Sequence, residues 1–414
     1  MRKVYTSIDL GSDSIKIVVA EKVNKRFHVL ASTSVLSEGI KKGVIADVKK
    51  TVISVNKAKA IIEKQIDLKI EEAIVIVPSN NCIFDIIKGD CKISGEDSTV
   101  IGADISNCIK QAVLSKKKEE YEVVTVEPIQ FNIDDNKEGY KNPIGMFGDE
   151  LSVKAVMMSI PSAYLYPIIE VFNACGIEII DMSFSSIGDY YEVKSKELDS
   201  KVGAIINIGA DITNVSIYNK GIMIKNKILE FGSKNIDNDI AYVYRIDNSV
   251  AKKLKESFAV SNKKYTDSND VVEVETKIGE KITINQYEIS DVVESRLTEI
   301  LKFAKNSIND LTKREISYII VTGGISELAG FQYVAENILG KEAIVHNITN
   351  MGIRNNKYSS AIGLIKYFDY KMNLRDKEYS VLKDDISLTN NKKRRQQSDE
   401  GNIISKVFDM FTGN

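Results

Sequence analysis

The stretch SIDLGSDSIKIVVAE at residues 7–21 decides the fold because its pattern returns in IINIGADITNVSIYN at residues 205–219. Each stretch contains an apolar run, an acid or its amide, a turn with glycine and aspartate, and a second apolar run. An apolar run on each side of a glycine turn predicts a β-hairpin. We therefore expect the same hairpin in two places in the chain.

The segments that follow the two hairpins also share one order. A third strand-like run, an amphipathic helix pattern (residues 51–66) and the apolar run EEAIVIVPS (71–79) follow the first hairpin. A strand-like run (222–232), a long helical region and SYIIVTGG (317–324) follow the second. The shared order, more than the phrase itself, favours duplication of one α/β subdomain over chance recurrence.

The composition narrows the classes of function. A formal net charge of −2 gives no sign of a nucleic-acid partner. The four cysteines form no CxxC pair, which favours free thiols over a zinc site. No apolar run approaches the roughly 20 residues of a membrane-spanning helix. We expect a soluble, intracellular core protein.

The glycine turns indicate a phosphate site. Glycine lets backbone N–H groups approach a phosphate closely, and two such turns facing across a cleft can grip one polyphosphate. An acid beside the turn, here Asp9, can hold Mg²⁺ through water. This arrangement is typical of the superfamily of actin, sugar kinases and heat-shock chaperones. In that superfamily, a segment like VTGGISELAGF (321–331) packs on the adenosine.

More specific segments resemble the FtsA family of actin-like cell-division proteins. They follow one another in the family's order and are EGIKKGVIADVKKTVISVNKA (38–58), KNPIGMFGDELSVKAVMMS (141–159), GSKNIDNDIAYVYRIDNSVAKKLKESF (232–258) and YSSAIGLIKY (358–367). The resemblance implies an α/β fold, the duplicated ribonuclease-H-like fold of actin in two lobes, with an inserted small α+β domain of the SHS2 type. The implied boundaries are 1–78 and 162–200 for subdomain 1A, 79–161 for the inserted subdomain 1C, 201–230 and 320–370 for subdomain 2A, 231–319 for subdomain 2B, 371–400 for a disordered linker and 401–414 for a membrane-targeting helix.

The resemblance also implies a site for ATP with Mg²⁺. It assigns to the nucleotide Gly11, Ser12, Asp13, Ser14, Lys16, Gly209, Ala210, Asp211, Thr213, Gly232, Lys252, Lys255, Gly323, Gly324 and Ile325. It assigns to the metal Asp9, acting through water. No residue is predicted to be catalytic.

Several of these positions depart from the family pattern. Asn207 stands where the family has an acid that organises the metal's water, and Ser185 stands where the family has a glutamate near the attacking water. Ala210 and Asp211 replace two glycines, and Asp211 adds a negative charge near the phosphates. Lys252 replaces the glutamate that contacts the ribose, and the third glycine of the adenosine loop is Ile325. We therefore expect weak or altered nucleotide binding and little hydrolysis.

The last residues predict an amphipathic helix. One helical face carries five apolar residues, namely Ile403, Ile404, Val407, Phe408 and Phe411. Ser405, Lys406 and Asp409 lie on another face, and the basic run 392–395 is just upstream. Such a helix can lie in the plane of an anionic membrane, or it can dock on the protein body or on a partner.

The FtsA resemblance therefore predicts a peripheral protein at the cytoplasmic face of the membrane at the division septum. It would bind the FtsZ C-terminal tail through subdomain 2B, polymerise through subdomain 1C and help recruit other divisome proteins. Among the alternatives, PilM of type IV pilus systems has a second loop that IGADITN resembles, and it would bind a peptide of a membrane partner. A sugar or acetate kinase would need a catalytic base that is not recognisable here. A chaperone ATPase would need a substrate-binding domain after the second half.

Overall fold

The first repeat forms one five-stranded sheet. The computed structural model describes residues 3–134, 136, 138–267, 269–350, 352–377 and 379–380. The elements of this part are β1 (Lys3–Leu10), β2 (Ser14–Val23), β3 (Arg26–Leu36), β4 (Ile40–Lys41), β5 (Val44–Ile45), α1 (Val48–Ile66) and β6 (Glu72–Val77). β1, β2 and β3 pair antiparallel as predicted, and β6 lies parallel to β1 on its other side.

The segment between the repeats forms a smaller sheet. Its elements are β7 (Ile83–Lys92), α2 (Gly102–Leu114), β8 (Tyr121–Ile133) and β9 (Glu150–Pro161). The three strands pair antiparallel in the order β7-β9-β8, and α2 packs on β7. The packing is close at Gly89, where a Cβ atom would lie 2.4 Å from the backbone nitrogen of Ala112. This segment has a hydrophobic core of its own.

The chain then completes the first lobe and enters the second. α3 (Ser162–Ala174), β10 (Glu178–Phe184) and α4 (Ser185–Val193) precede β11 (Val202–Ile208), β12 (Thr213–Asn219) and β13 (Ile222–Leu229). There follow α5 (Ser233–Tyr244), α6 (Asn248–Ser257), β14 (Val271–Glu275), β15 (Lys281–Asn285) and α7 (Gln286–Leu311). The last elements are β16 (Ile319–Thr322), α8 (Phe331–Leu339), β17 (Ala343–Val345) and α9 (Ser359–Leu374).

The two large sheets have the same topology. Their strand orders are β10-β6-β1-β2-β3 and β13-β12-β11-β16-β17, so each hairpin strand and each parallel strand of one sheet has a counterpart in the other. β11 pairs antiparallel with β12 and parallel with β16, as β1 does with β2 and β6. The predicted duplication is therefore confirmed.

Two helices cross where the lobes meet. α4 leads from the first lobe into the second, and α9 returns from the second lobe to pack on β1, β2 and β6. A Cβ atom on Gly363 would lie 1.8 Å from the carbonyl oxygen of Gly188, and one on Gly188 would lie 2.1 Å from the carbonyl oxygen of Ser360. Only glycines allow this backbone-to-backbone contact.

The end of α9 corrects the predicted start of the linker at residue 371. Lys371 is buried, with its ammonium 2.5 Å from a carboxylate oxygen of Asp181. Beyond the helix, the Tyr379 ring lies 6.2 Å from the Tyr5 ring, and its hydroxyl donates to Glu72. The polar composition of this stretch suggested a linker, but its side chains pack on the first lobe. None of the helices in the described part of the chain has the length and apolarity that crossing a membrane requires.

A buried carboxyl joins the inserted sheet to the second lobe. Glu127 on β8 accepts a hydrogen bond of 3.1 Å from the Met223 N–H on β13 and is 2 % exposed. Burial raises the pKa of Glu127 to about 7, and the charges of Lys194, Lys141 and Lys371 offset only part of this effect.

We expect this carboxyl to make stability depend on pH. Because the pKa is raised in the folded state from 4.5 to about 7, the folded protein loses about 3 kcal/mol of unfolding free energy as the pH rises through this range. Glu127→Gln should remove that part of the pH dependence, since its amide oxygen can still accept from Met223. Denaturant unfolding between pH 4.5 and 8 measures this, with Glu150→Gln at the exposed start of β9 as the control. Equal pH profiles for Glu127→Gln and the wild type would contradict the assignment.

Candidate functional site

The two glycine turns face each other across the cleft between the lobes. A cavity of about 370 Å³ lies there, and both turns line it. Gly11 and its neighbours come from the β1–β2 turn, and Gly209 and its neighbours come from the β11–β12 turn. Every predicted nucleotide residue lines this cavity except Thr213 and Gly232.

The first turn is shaped for close approach. A Cβ atom on Gly11 would lie 2.8 Å from the carbonyl oxygen of Ser14 and 2.9 Å from the Lys16 ammonium. Lys16 and Asp9 are directly opposite on β2 and β1, and their side chains form an ion pair of 2.8 Å. The predicted metal ligand Asp9 is thus neutralised by the lysine expected to contact phosphate.

The second turn is held by the start of α5. The Ser233 N–H donates to the Gly209 carbonyl at 2.9 Å, and the Lys234 N–H donates to the Ala210 carbonyl at 3.0 Å. A Cβ atom on Gly232 would lie 2.4 Å from the Gly209 carbonyl oxygen. Thr213 is buried, and its hydroxyl donates to the Phe231 carbonyl. Gly232 and Thr213 therefore shape the turn and are not among the residues that line the cavity, and their contact with a nucleotide stays a prediction.

The segment 321–331, which the superfamily places against the adenosine, also reaches the cavity. Gly323 has φ 102°, in the region that favours glycine, and a Cβ atom there would lie 2.4 Å from the Ile208 carbonyl oxygen. Gly324 and Ile325 follow it along the cavity wall, and Ile325 is buried. These residues of the segment VTGG and the isoleucine after it therefore lie on one wall of the cleft, and their contact with adenosine stays a prediction.

The floor of the cavity explains the amide at position 207. Asn207 donates to a carboxylate oxygen of buried Asp189 at 2.6 Å and to the Ser360 hydroxyl at 3.2 Å. Burial raises the pKa of Asp189 to about 6, and its hydrogen bonds with Asn207 and Ser360 oppose that rise. An aspartate at 207 would put a second carboxylate against Asp189, so the sequence carries one acid and one amide here.

The two lysines of α6 have different surroundings. Lys252 donates to both carboxylate oxygens of Asp13 across the cleft, each at 2.8 Å. Burial raises the pKa of Asp13, but the hydrogen bonds and charge of Lys252 outweigh it, and the pKa lies below its ordinary value. Lys255 is 3 % exposed and pairs with buried Asp237 at 2.7 Å. Lys255 therefore supports the wall, and Lys252 faces the other lobe.

Sequence reasoning missed Lys357. It lines the cavity from the turn before α9, with its Cβ atom 3.5 Å from the position of a Cβ on Gly324. Burial lowers the pKa of Lys357, and the positive charge of Lys16 lowers it further. No local pattern marks this residue, because it belongs to no glycine turn and reaches the site only through the fold. Lys234, Glu256 and Asn355 are further lining residues outside the predicted set.

The donor set fits a hydrated Mg²⁺ held mainly by phosphates. Asp9 is the carboxylate at the end of β1 that lines the cavity beside the first turn. The described residues contain no group of three or more His, Cys, Asp or Glu side chains that could enclose an ion. Mg²⁺ commonly takes one or two carboxylates and completes its shell with water and phosphate oxygens.

Two duplicated lobes that close on a cleft between glycine turns define a protein of the actin-like class. Solved structures agree on the fold. A PilM–PilN type IV pilus biogenesis complex matches with a TM-score of 0.59 at 12% identity, covering 87% of this chain and 97% of that one. MreB5 of Spiroplasma citri bound to ADP matches with a TM-score of 0.56 at 12% identity, covering 90% and 99%.

The family follows from the sequence comparisons. The model for the cell division protein FtsA matches residues 204–363, and the model for the SHS2 domain inserted in FtsA matches residues 85–159. FtsA of Bacillus subtilis is 26% identical over 88% of this chain and 83% of its own length, and FtsA of Enterococcus hirae is 23% identical over 90% and 84%. The chain belongs to the FtsA family of cell-division proteins. PilM shares the fold only, so the alternative function is not favoured.

We expect Gly232→Ala to damage the second turn. The added methyl group would collide with the Gly209 and Ala210 carbonyls, so the turn must shift at a cost of about 2 kcal/mol or more. Denaturant unfolding measures the loss of stability. Gly324→Ala is the matched control, because its methyl group would meet ordinary van der Waals space. Equal stability of the two variants would refute the packing role of Gly232.

Proposed function

We propose that this protein tethers the FtsZ ring to the cytoplasmic face of the membrane at the division septum and acts by assembly rather than by catalysis. The observation that supports the proposal is that two FtsA models match separate parts of the chain, residues 85–159 and residues 204–363. One match falls on the second lobe and the other on the inserted segment. Tethering needs surfaces for partners, and it does not need rapid chemistry.

We further propose that the cleft binds ATP with Mg²⁺. In support, the two glycine turns and the third loop line one cavity of about 370 Å³, and Lys16, Lys252 and Lys357 also line it. The fold neighbours include MreB5 bound to ADP and MreB5 bound to AMPPNP. Mg²⁺, when bound, would neutralise charge on the phosphates, and Asp9 is the residue proposed to hold it through water. Gly11 and Ser12 would approach the phosphates, and Lys16 would turn from Asp9 toward them.

Hydrolysis should be slow. In-line phosphoryl transfer requires a group that places the attacking water. At the cavity, Asn207 is held by Asp189, and Ser185 is a weakly basic hydroxyl within hydrogen-bonding distance of Asn214. Neither offers an ionised carboxylate to the cavity.

For the partners, we propose subdomain 2B, residues 231–319, as the receiver of the FtsZ tail and the inserted subdomain, residues 79–161, as the polymer contact. In support, the second lobe carries exposed aromatic side chains, among them Tyr242 at 87% and Tyr265 at 59% exposure. The inserted segment exposes Phe147 at 72%. Aromatic side chains are enriched where proteins bind one another.

The membrane contact is proposed for the C-terminal helix. Its apolar residues, Ile403, Ile404, Val407, Phe408 and Phe411, lie outside the described residues, so the proposal rests on their spacing in the sequence. The short apolar stripe predicts weak binding by a single chain. Several tails on one polymer would bind more tightly through their effective concentration.

We expect the tail to decide recruitment to the membrane. Full-length protein should sediment with vesicles that contain anionic lipid and should bring FtsZ with it, and a form ending at Glu400 should leave both in the supernatant. Phe408→Asp should reduce sedimentation about tenfold, because it places a charge on the apolar face. Ser405→Asp is the matched control, with the same charge on the polar face. If the truncated form sediments as well as the full chain, the anchor lies elsewhere.

We expect weak, lysine-dependent nucleotide binding. Lys16→Ala should lower the affinity for MgATP by about tenfold to a hundredfold, because a charged hydrogen bond to phosphate is lost. Isothermal titration measures the affinity, and Lys49→Ala on the exposed face of α1 is the control. Steady-state turnover should lie well below the roughly 1–100 s⁻¹ of protein kinases. Turnover in that range would overturn the non-catalytic mechanism.

A further inference from the structure

The carboxylates at the two turn tips each reach across the cleft. Asp13, from the first-lobe turn, accepts both of its 2.8 Å hydrogen bonds from Lys252 of the second lobe. Asp211, from the second-lobe turn, accepts from the backbone N–H of Lys42 in the first lobe at 3.1 Å. The two contacts are reciprocal, because each turn supplies an anion and the opposite lobe supplies the donor.

A third contact completes the arrangement. The Lys234 ammonium lies 2.8 Å from Asp211 and donates to the Ser12 carbonyl of the first lobe at 3.3 Å. The donors that meet these two carboxylates are therefore ammonium groups and a backbone amide beside glycine turns. Those are the donor types that bind phosphate oxygens.

We propose that Asp13 and Asp211 are built-in substitutes for phosphate, which hold the lobes together in the nucleotide-free protein and set the affinity of the cleft for nucleotide. The inference rests on the proposed nucleotide function and adds the residues that limit the affinity for nucleotide. A polyphosphate must displace the two carboxylates from their donors, and it then lies beside them as like charges. The displacement and the repulsion both oppose nucleotide binding, and both are weakened when the two carboxylates are replaced by neutral side chains.

The geometry also shows what surrounds each of the two carboxylates. The Asp13 pKa lies below its ordinary value because Lys252 outweighs the effect of burial. Asp211 is 18 % exposed and contacts one ammonium and one amide. The ion pair between Asp13 and Lys252 is partly desolvated and joins the two lobes, so it contributes to holding them together.

The test uses Asp13→Asn, Asp211→Asn and the double variant of the full chain. Asparagine keeps the shape and removes the charge. Each single variant should bind MgATP about tenfold more tightly than the wild type in isothermal titration. In the nucleotide-free double variant, amide hydrogen exchange at residues 11–14 and 42–43 should be about fivefold faster, because the interlobe contacts are weakened.

Asp310→Asn is the matched control, since Asp310 also pairs with a lysine, Lys227 at 3.2 Å, but lies on the exposed end of α7. It should change neither measurement. The inference is overturned if the double variant binds MgATP no more tightly than the wild type and exchanges its cleft amides at the same rate.

The outcomes separate this inference from the proposed nucleotide function. If the wild type does not bind MgATP and the double variant does, the nucleotide function of the natural chain fails and the inference is supported. If neither protein binds MgATP, the nucleotide function fails, and amide hydrogen exchange is then the measurement that tests the inference. Faster exchange at the cleft then supports the inference, and unchanged exchange overturns it.

Discussion

The architecture depends on the crossing of α4 and α9 between the lobes. The backbones touch at Gly188 and Gly363, where a side chain on either residue would collide with a carbonyl oxygen. This contact fixes the distance between the two sheets. The second sheet has a hydrophobic core of its own on one face, and Ile205 and Ile320 on its strands join the core of the first lobe. The cavity floor lies directly beside the helix crossing, because Asp189 follows Gly188 and Ser360 belongs to the first turn of α9. The two glycine turns therefore face each other across one cavity.

The local patterns of the sequence predicted the sheets well. The strands of both hairpins and the parallel strands after them follow from alternating or continuous apolar runs bounded by glycine, and these are signals that a single segment carries. The wall at Gly323 was predictable for the same reason. Gly232 was predicted as a nucleotide contact, and the sequence does not show that its nearest neighbours are the carbonyls of the second turn.

The contacts between distant segments were not predictable from the sequence. Asn207 looked like the loss of an acid, but its partner Asp189 lies 18 positions away in the chain and on a different element. Lys357 reaches the cavity from a turn without a phosphate-binding pattern. The start of the linker was misplaced because its composition is polar, and composition does not reveal that Lys371 is buried and Tyr379 half-buried against the first lobe. In each case the deciding contact joins residues that only the fold brings together.

Helix α9 touches two regions that otherwise lie far apart. Ser360 in its first turn and Lys357 just before it line the cavity. Just past its end, the carbonyl of Arg375 lies where a side chain on Gly102, the first residue of α2, would have to be. The helix has 16 residues and is therefore about 24 Å long. The cleft and the inserted domain thus both contact this one helix, so a substitution that shifted α9 along its axis would change contacts at both of its ends.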